Sequence, residues 1–169
     1  STLGGVVVSL VDIMRGVDFT AATSLPTIDQ QQCPFQPHVI LVPRGAPVSV
    51  LNSVPITHNI HTAAFDNRPV NRAQPHGAAG VELKFPIAEK VRLKCDIHEW
   101  MGAWVVVMNH PYYALTERDG SFTLRNVPPG NYRLEVWHDV LGTSNQRVSV
   151  KPQEVTTTSV TMAASSRKP

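Results

Sequence analysis

The sequence predicts an all-β protein, and three observations carry that prediction. Short runs rich in Val, Leu, Ile and Thr recur at close intervals, as strands require. Helical periodicity is nearly absent, because 10 glycines and 14 prolines interrupt every longer stretch. Asp-Gly and Pro-Gly pairs stand between alternating segments, where glycine supplies the positive φ that tight turns need. Sandwich architecture is the expectation throughout.

Taken in order, strands are expected at Gly5–Leu10, Val39–Val42, Pro47–Leu51, Val91–Cys95 and Trp104–Met108. Val11–Gly16 carries the one trace of a helical turn. From His110 onward the pattern becomes regular: strand Tyr112–Thr116, turn Arg118–Gly120, strand Ser121–Arg125, turn Pro128–Gly130, strand Asn131–Trp137. Val155–Met162 reads as a final strand by its β-branched content. A small, polar tail follows it.

At 169 residues the chain accommodates one sandwich or two small ones. A hydrophobic fraction of 42% against 17% charged residues describes a chain with a real core, not a disordered one. The formal charge is +2 and the 15 basic residues are scattered, so no footprint for nucleic acid is present. No apolar run approaches the roughly 18–20 residues of a membrane span. The start at Ser1 has no charged segment followed by a long apolar one, so a secreted or periplasmic chain after signal-peptide removal is expected. Cys33 and Cys95 are too few for a disulfide-stapled mini-protein, and neither sits in a C-x-x-C pair.

Leu115–Val136 contains T-x-x-D-G-x-F-x-L followed by P-P-G-x-Y-x-L-x-V. This segment resembles the carboxypeptidase regulatory-like domain, which implies a small β-sandwich for support or contact with no catalytic residues of its own. That family has a Val-rich strand before the T-x-x-D-G strand, and the spare candidate here is Val6–Ile13, far upstream. The expected organisation is therefore nested. Residues 28–108 form one module, inserted into a β-sandwich made of residues 1–27 together with 109–169; two domains in series are the alternative.

The informative segments are Thr57–His61 and Cys95–Gly102. Strand alternation puts Val91, Leu93 and Cys95 on one face, and His58 with Ile60 on one face while His61 points the other way. A thiolate, two imidazoles and a thioether are softer than zinc or magnesium sites require, and Cys-His-His with a weak axial Met is the signature of an electron-transfer copper centre. Cys95, His98 and Met101, each three residues apart, can converge on one point, and His58 closes the site from another strand.

With its H-N-x-H segment and short C-x-x-H-x-x-M loop before a Val-rich strand, the stretch Phe35–Val107 resembles the cupredoxins, the blue copper proteins of the amicyanin and plastocyanin type. The resemblance implies a Greek-key β-sandwich and copper ligands at His58, Cys95, His98 and Met101. It also implies a bracing role for the Asn59 side chain beside the ligand loop. Trp100 is read as shielding the site or as a buried packing residue. Paired carboxylates and nucleophile–base pairs are lacking, so the expected role is a one-electron carrier, not an enzyme, with a cytochrome or dehydrogenase as redox partner.

Two other readings stand beside it. Aligned through Phe35-x-Pro37, Cys33 falls near the metal position, and an oxidising compartment favours a Cys33–Cys95 disulfide; the chain would then be a metal-free structural or interaction module of a larger extracellular assembly. A copper-buffering protein would use His58, His98 and Met101 without a redox partner. His61 is read as a polar residue on the outer face of its strand. His38, His76, His110 and His138 are isolated from other ligand types and are expected to be ordinary histidines. Tyr132, Leu134 and Val136 share a face and are expected to be core.

Overall fold

The computed structural model describes residues 3–13, 25–31 and 34–163. Among these residues there is no helix; all regular structure is strand. The chain divides into two compact units, one of residues 1–18 and 110–169 and the other of residues 19–109.

The first unit is one four-stranded sheet. Strand β1 (Val7–Val11) lies between β11 (Tyr113–Leu115) and β12 (Gly130–His138), and β13 (Gly142–Val150) pairs along the far side of β12. All three pairings are antiparallel, with Val8 opposite both Ala114 and Val136. An N-terminal strand therefore holds an interior place in a sheet otherwise made from the C-terminal third. Val6, Val8, Leu10, Tyr112, Leu134 and Val136 form its buried core, with Tyr132 partly buried against them.

Two segments of this unit differ from the strands expected. Residues 121–125 and 155–162 make no ladder. Side-chain alternation survives in both: Phe122, Leu124, Val160 and Met162 pack on the core while their neighbours face out. Period-2 patterning specifies which side chains turn inward, but a ladder also needs a free strand edge at the right register. The tail is tied instead by side chains, Gln146 to Thr158 and Thr156 to the Ser149 carbonyl. The helical turn considered at Val11–Gly16 is not formed at its start, since Val11 closes β1, and residues 14–16 lie outside the described residues.

The second unit has two sheets. One runs β4 (Val39–Pro43), β10 (Gly102–Met108), β9 (Lys90–Lys94), β6 (His58–Ala63), β7 (Asn71–Gln74). The other runs β3 (Phe35–Gln36), β2 (Thr27–Gln30), β5 (Pro47–Asn52), β8 (Val81–Lys84). β4 pairs with β10, and β2 with β5, in parallel; the rest is antiparallel. Ile28, Phe35, Val48, Ile60, Leu93 and Val105, among others, are fully buried in one core. Cys95 and Met101 belong to the same cluster.

Candidate metal centre

The alternation of β9 determines where the thiol points. Val91 and Leu93 are buried, Arg92 is exposed, and Cys95, one step past the strand end, continues the inward row. β6 shows the same period: His58, Ile60 and Thr62 face inward while His61 is half-exposed. Antiparallel pairing of His61 with Lys94 and Thr62 with Leu93 directs the chain leaving β9 back toward the start of β6. Residues 95–101 then fold back on themselves. Met101 N–H donates to the His98 carbonyl at 3.0 Å, and Cys95 N–H to the Met101 carbonyl at 3.4 Å.

Three donor atoms meet as a result. His58 Nδ1 and His98 Nδ1 are 3.0 Å apart, and the Cys95 sulfur lies 3.8 Å from the first and 3.7 Å from the second. The point equidistant from the corners of this triangle is about 2.0 Å from each, close to the reach of a first-row transition-metal bond to imidazole (about 2.0–2.1 Å) and a little short of that to thiolate (about 2.3 Å). The group thus fits a metal ion, and its one-thiolate, two-imidazole composition fits copper.

His58 and Cys95 are buried and His98 is partly exposed. Burial, and then the neighbouring His98, push the His58 imidazole below its ordinary pKa, which favours the neutral, metal-binding form. Met101 is buried, only 1% exposed, at the loop end. Cys95 is a free cysteine, and Cys33 lies outside the described residues.

Beside the donors stands a polar network. Asn59 Oδ1 accepts from Asp96 N–H at 2.6 Å, and Asn59 Nδ2 donates to Asn71 at 2.8 Å and to the Asp96 carboxylate at 3.1 Å. The Asp96 carboxylate also pairs with His61 Nδ1 at 2.8 Å, with Asn71 Nδ2 at 2.8 Å and with Lys94 Nζ at 3.3 Å. The His61 hydrogen bond foremost, then those of Asn71, Asn59 and Lys94, hold its carboxyl well below the usual carboxylate range. His61 is therefore a partner of the ligand loop. Asp96 and Asn71 carried no metal-ligand pattern in the sequence; the only sign was the position of Asp96, directly after Cys95.

Trp100 is 73% exposed, which excludes a buried packing role. Its ring lies against that of His98, with centroids 5.2 Å apart and planes tilted by 52°. The other histidines are held locally: His38 by the Gly102 carbonyl, His76 by that of Val54, and His110 and His138 as acceptors from Tyr112, and from Val140 and Leu141, amides.

No curated protein sequence matches the chain. The family model of the carboxypeptidase regulatory-like domain matches residues 100–163. Its first residues fall in β10, which pairs within the other unit, and the remainder covers β11 to β13 and the tail. Similar solved structures include a copper-containing nitrite reductase from Thermus scotoductus, 21% identical with a TM-score of 0.46, covering 56% of this chain and 25% of that one. This chain thus spans a quarter of the reductase. A purple cupredoxin from Nitrosopumilus maritimus is 19% identical with a TM-score of 0.43, covering 49% of this chain and 99% of its own. An oxidised single-site variant of amicyanin is 21% identical with a TM-score of 0.46, covering 52% and 85%. The chain is therefore similar to two families: the carboxypeptidase regulatory-like domain over residues 100–163, and the cupredoxins over about half its length.

Proposed function

We propose that this chain is an extracytoplasmic copper protein that carries single electrons to or from a redox protein such as a cytochrome or a dehydrogenase. The observation that carries the reading is the convergence of His58 Nδ1, His98 Nδ1 and Cys95 Sγ within 3.8 Å of one another. In this reading those three atoms hold one copper ion and Met101 supplies a weak fourth contact. Bound copper would supply a couple between two oxidation states, which thiolate and imidazole ligands both tolerate.

The protein's own contribution is rigidity and access. His58, Cys95 and Met101 are buried in a packed core, so the donor positions change little with the charge at the centre. His98 alone reaches the surface, where its ring gives an electron a short way in and out. Four protein donors leave no open position for a substrate, which favours a carrier over an enzyme. The interior place of β1 in the sheet of β11 and β12 supports reading residues 28–108 as a module inserted into a domain of both termini.

Copper loading followed by visible and electron paramagnetic resonance spectroscopy tests the proposal. One copper per chain, an intense thiolate-to-Cu(II) band and reversible voltammetry with the metal retained are expected. A colourless, copper-loaded protein would overturn it.

A further inference from the structure

Behind the donor triangle lies a wholly buried polar cluster. His58, Gln30 and Gln74 are each 0% exposed. His58 and Gln74 are direct cross-strand partners on β6 and β7, and both side chains face the core. Gln30 reaches across from β2 in the opposite sheet. Its Nε2 donates to Gln74 Oε1 at 2.5 Å and to the Leu51 carbonyl at 3.1 Å, while Gln74 Nε2 donates to the Val50 carbonyl at 2.9 Å.

Two atoms remain after this accounting. Gln30 Oε1 and His58 Nε2 are both buried and neither has a hydrogen-bond partner among the described residues. They are complementary. A His58 that keeps its Nδ1 lone pair for a metal carries its proton on Nε2, which makes Nε2 a donor, while an amide oxygen is an acceptor. A metal-binding histidine almost always gives its other ring N–H to an acceptor, and that bond fixes tautomer and ring orientation.

We propose that Gln30 is the positioning residue for His58, its Oε1 taking the His58 Nε2–H through one buried water. The second lone pair of Gln74 Oε1 completes the roughly three hydrogen bonds such a water makes. The cluster thereby selects the His58 tautomer that presents Nδ1 to the donor triangle. This inference rests on the copper reading of the site, but its first test needs no metal.

Nitrogen NMR of the histidine rings in the metal-free full chain is compared between wild type, Gln30→Met and Gln30→Glu, with Cu(I) affinity measured by competition. Wild type is expected to show His58 protonated on Nε2 with that proton protected from exchange. Gln30→Met keeps the volume but removes the acceptor; it should lose the protected signal and bind copper about 10–100-fold more weakly. Gln30→Glu restores an acceptor and should recover both. A wild-type His58 protonated on Nδ1 overturns the proposal, and so does a Gln30→Met protein that keeps the signal and the affinity. Should Gln30→Met not fold, the wild-type tautomer and the Gln30→Glu signal decide. A wild-type protein with the expected tautomer but without the thiolate band overturns the electron-carrier reading instead.

Discussion

Asn59 and Asp96 are joined twice: the Asp96 amide donates to Asn59 Oδ1 at 2.6 Å, and Asn59 Nδ2 donates to the Asp96 carboxylate at 3.1 Å. Each residue follows a metal-donor candidate in the chain, His58 and Cys95 respectively. One small amide therefore locks the strand that offers an imidazole to the loop that offers a thiol. Asn59→Ala takes the partner from the Asp96 backbone N–H in a part-buried hydrogen bond, at a cost of about 1 kcal/mol. Loosening the loop should also weaken copper binding about 10–100-fold. Urea unfolding and a copper competition titration measure the two effects.

Cys95 supplies the one sulfur donor of the triangle. Cys95→Ser should abolish the visible charge-transfer band on Cu(II) loading. The far-ultraviolet circular dichroism should stay that of the wild type, because the strand order is set by the surrounding core. A Cys95→Ser protein that still shows the band would place the chromophore elsewhere.

Glu89 gives the fold a dependence on acidity away from the metal centre. Burial alone would push its carboxyl up, but hydrogen bonds from the Phe65 amide, from Asn67 and from the Asp66 amide outweigh that and hold it below its ordinary value of 4.5. The folded protein thus binds this proton less readily than the unfolded chain. The stabilisation is present above about pH 4.5 and is lost as pH falls through the lower folded value. Glu89→Gln should remove it, lowering stability by about 1 kcal/mol at pH 7 and flattening the acid limb. Unfolding midpoints for both proteins between pH 3 and pH 7 check the sign.

Val160 and Met162 pack on the core of the unit built from both ends of the chain, without belonging to its sheet. Replacing both by Ser removes apolar contact while sparing every ladder hydrogen bond. The expected loss is about 1–2 kcal/mol, since the two side chains are only partly buried. Thermal unfolding, with hydrogen exchange at β13 as the local readout, tests it.

The sequence by itself determined many of the strands, though not all, and which faces those bury. Alternation in Val91–Cys95 aimed the sulfur inward, and alternation in His58–His61 separated the inward imidazole from the outward one, because a strand's side chains have a period of two whatever the fold. Donor chemistry was equally legible, since softness is a property of residue type. Where alternation was read as a ladder, at 121–125 and 155–162, it was only half the requirement, as pairing depends on a free edge elsewhere.

Only the tertiary structure decided what stands behind and beside the donors. Asp96 and Asn71 gather at Asn59, and Gln30 crosses between sheets to Gln74, the cross-strand partner of His58, through pairings that join residues 12 to 44 positions apart. Glutamine and asparagine carry no periodic signal of their own. Their roles follow from which buried donor or acceptor each one meets, and that is fixed when the two sheets pack.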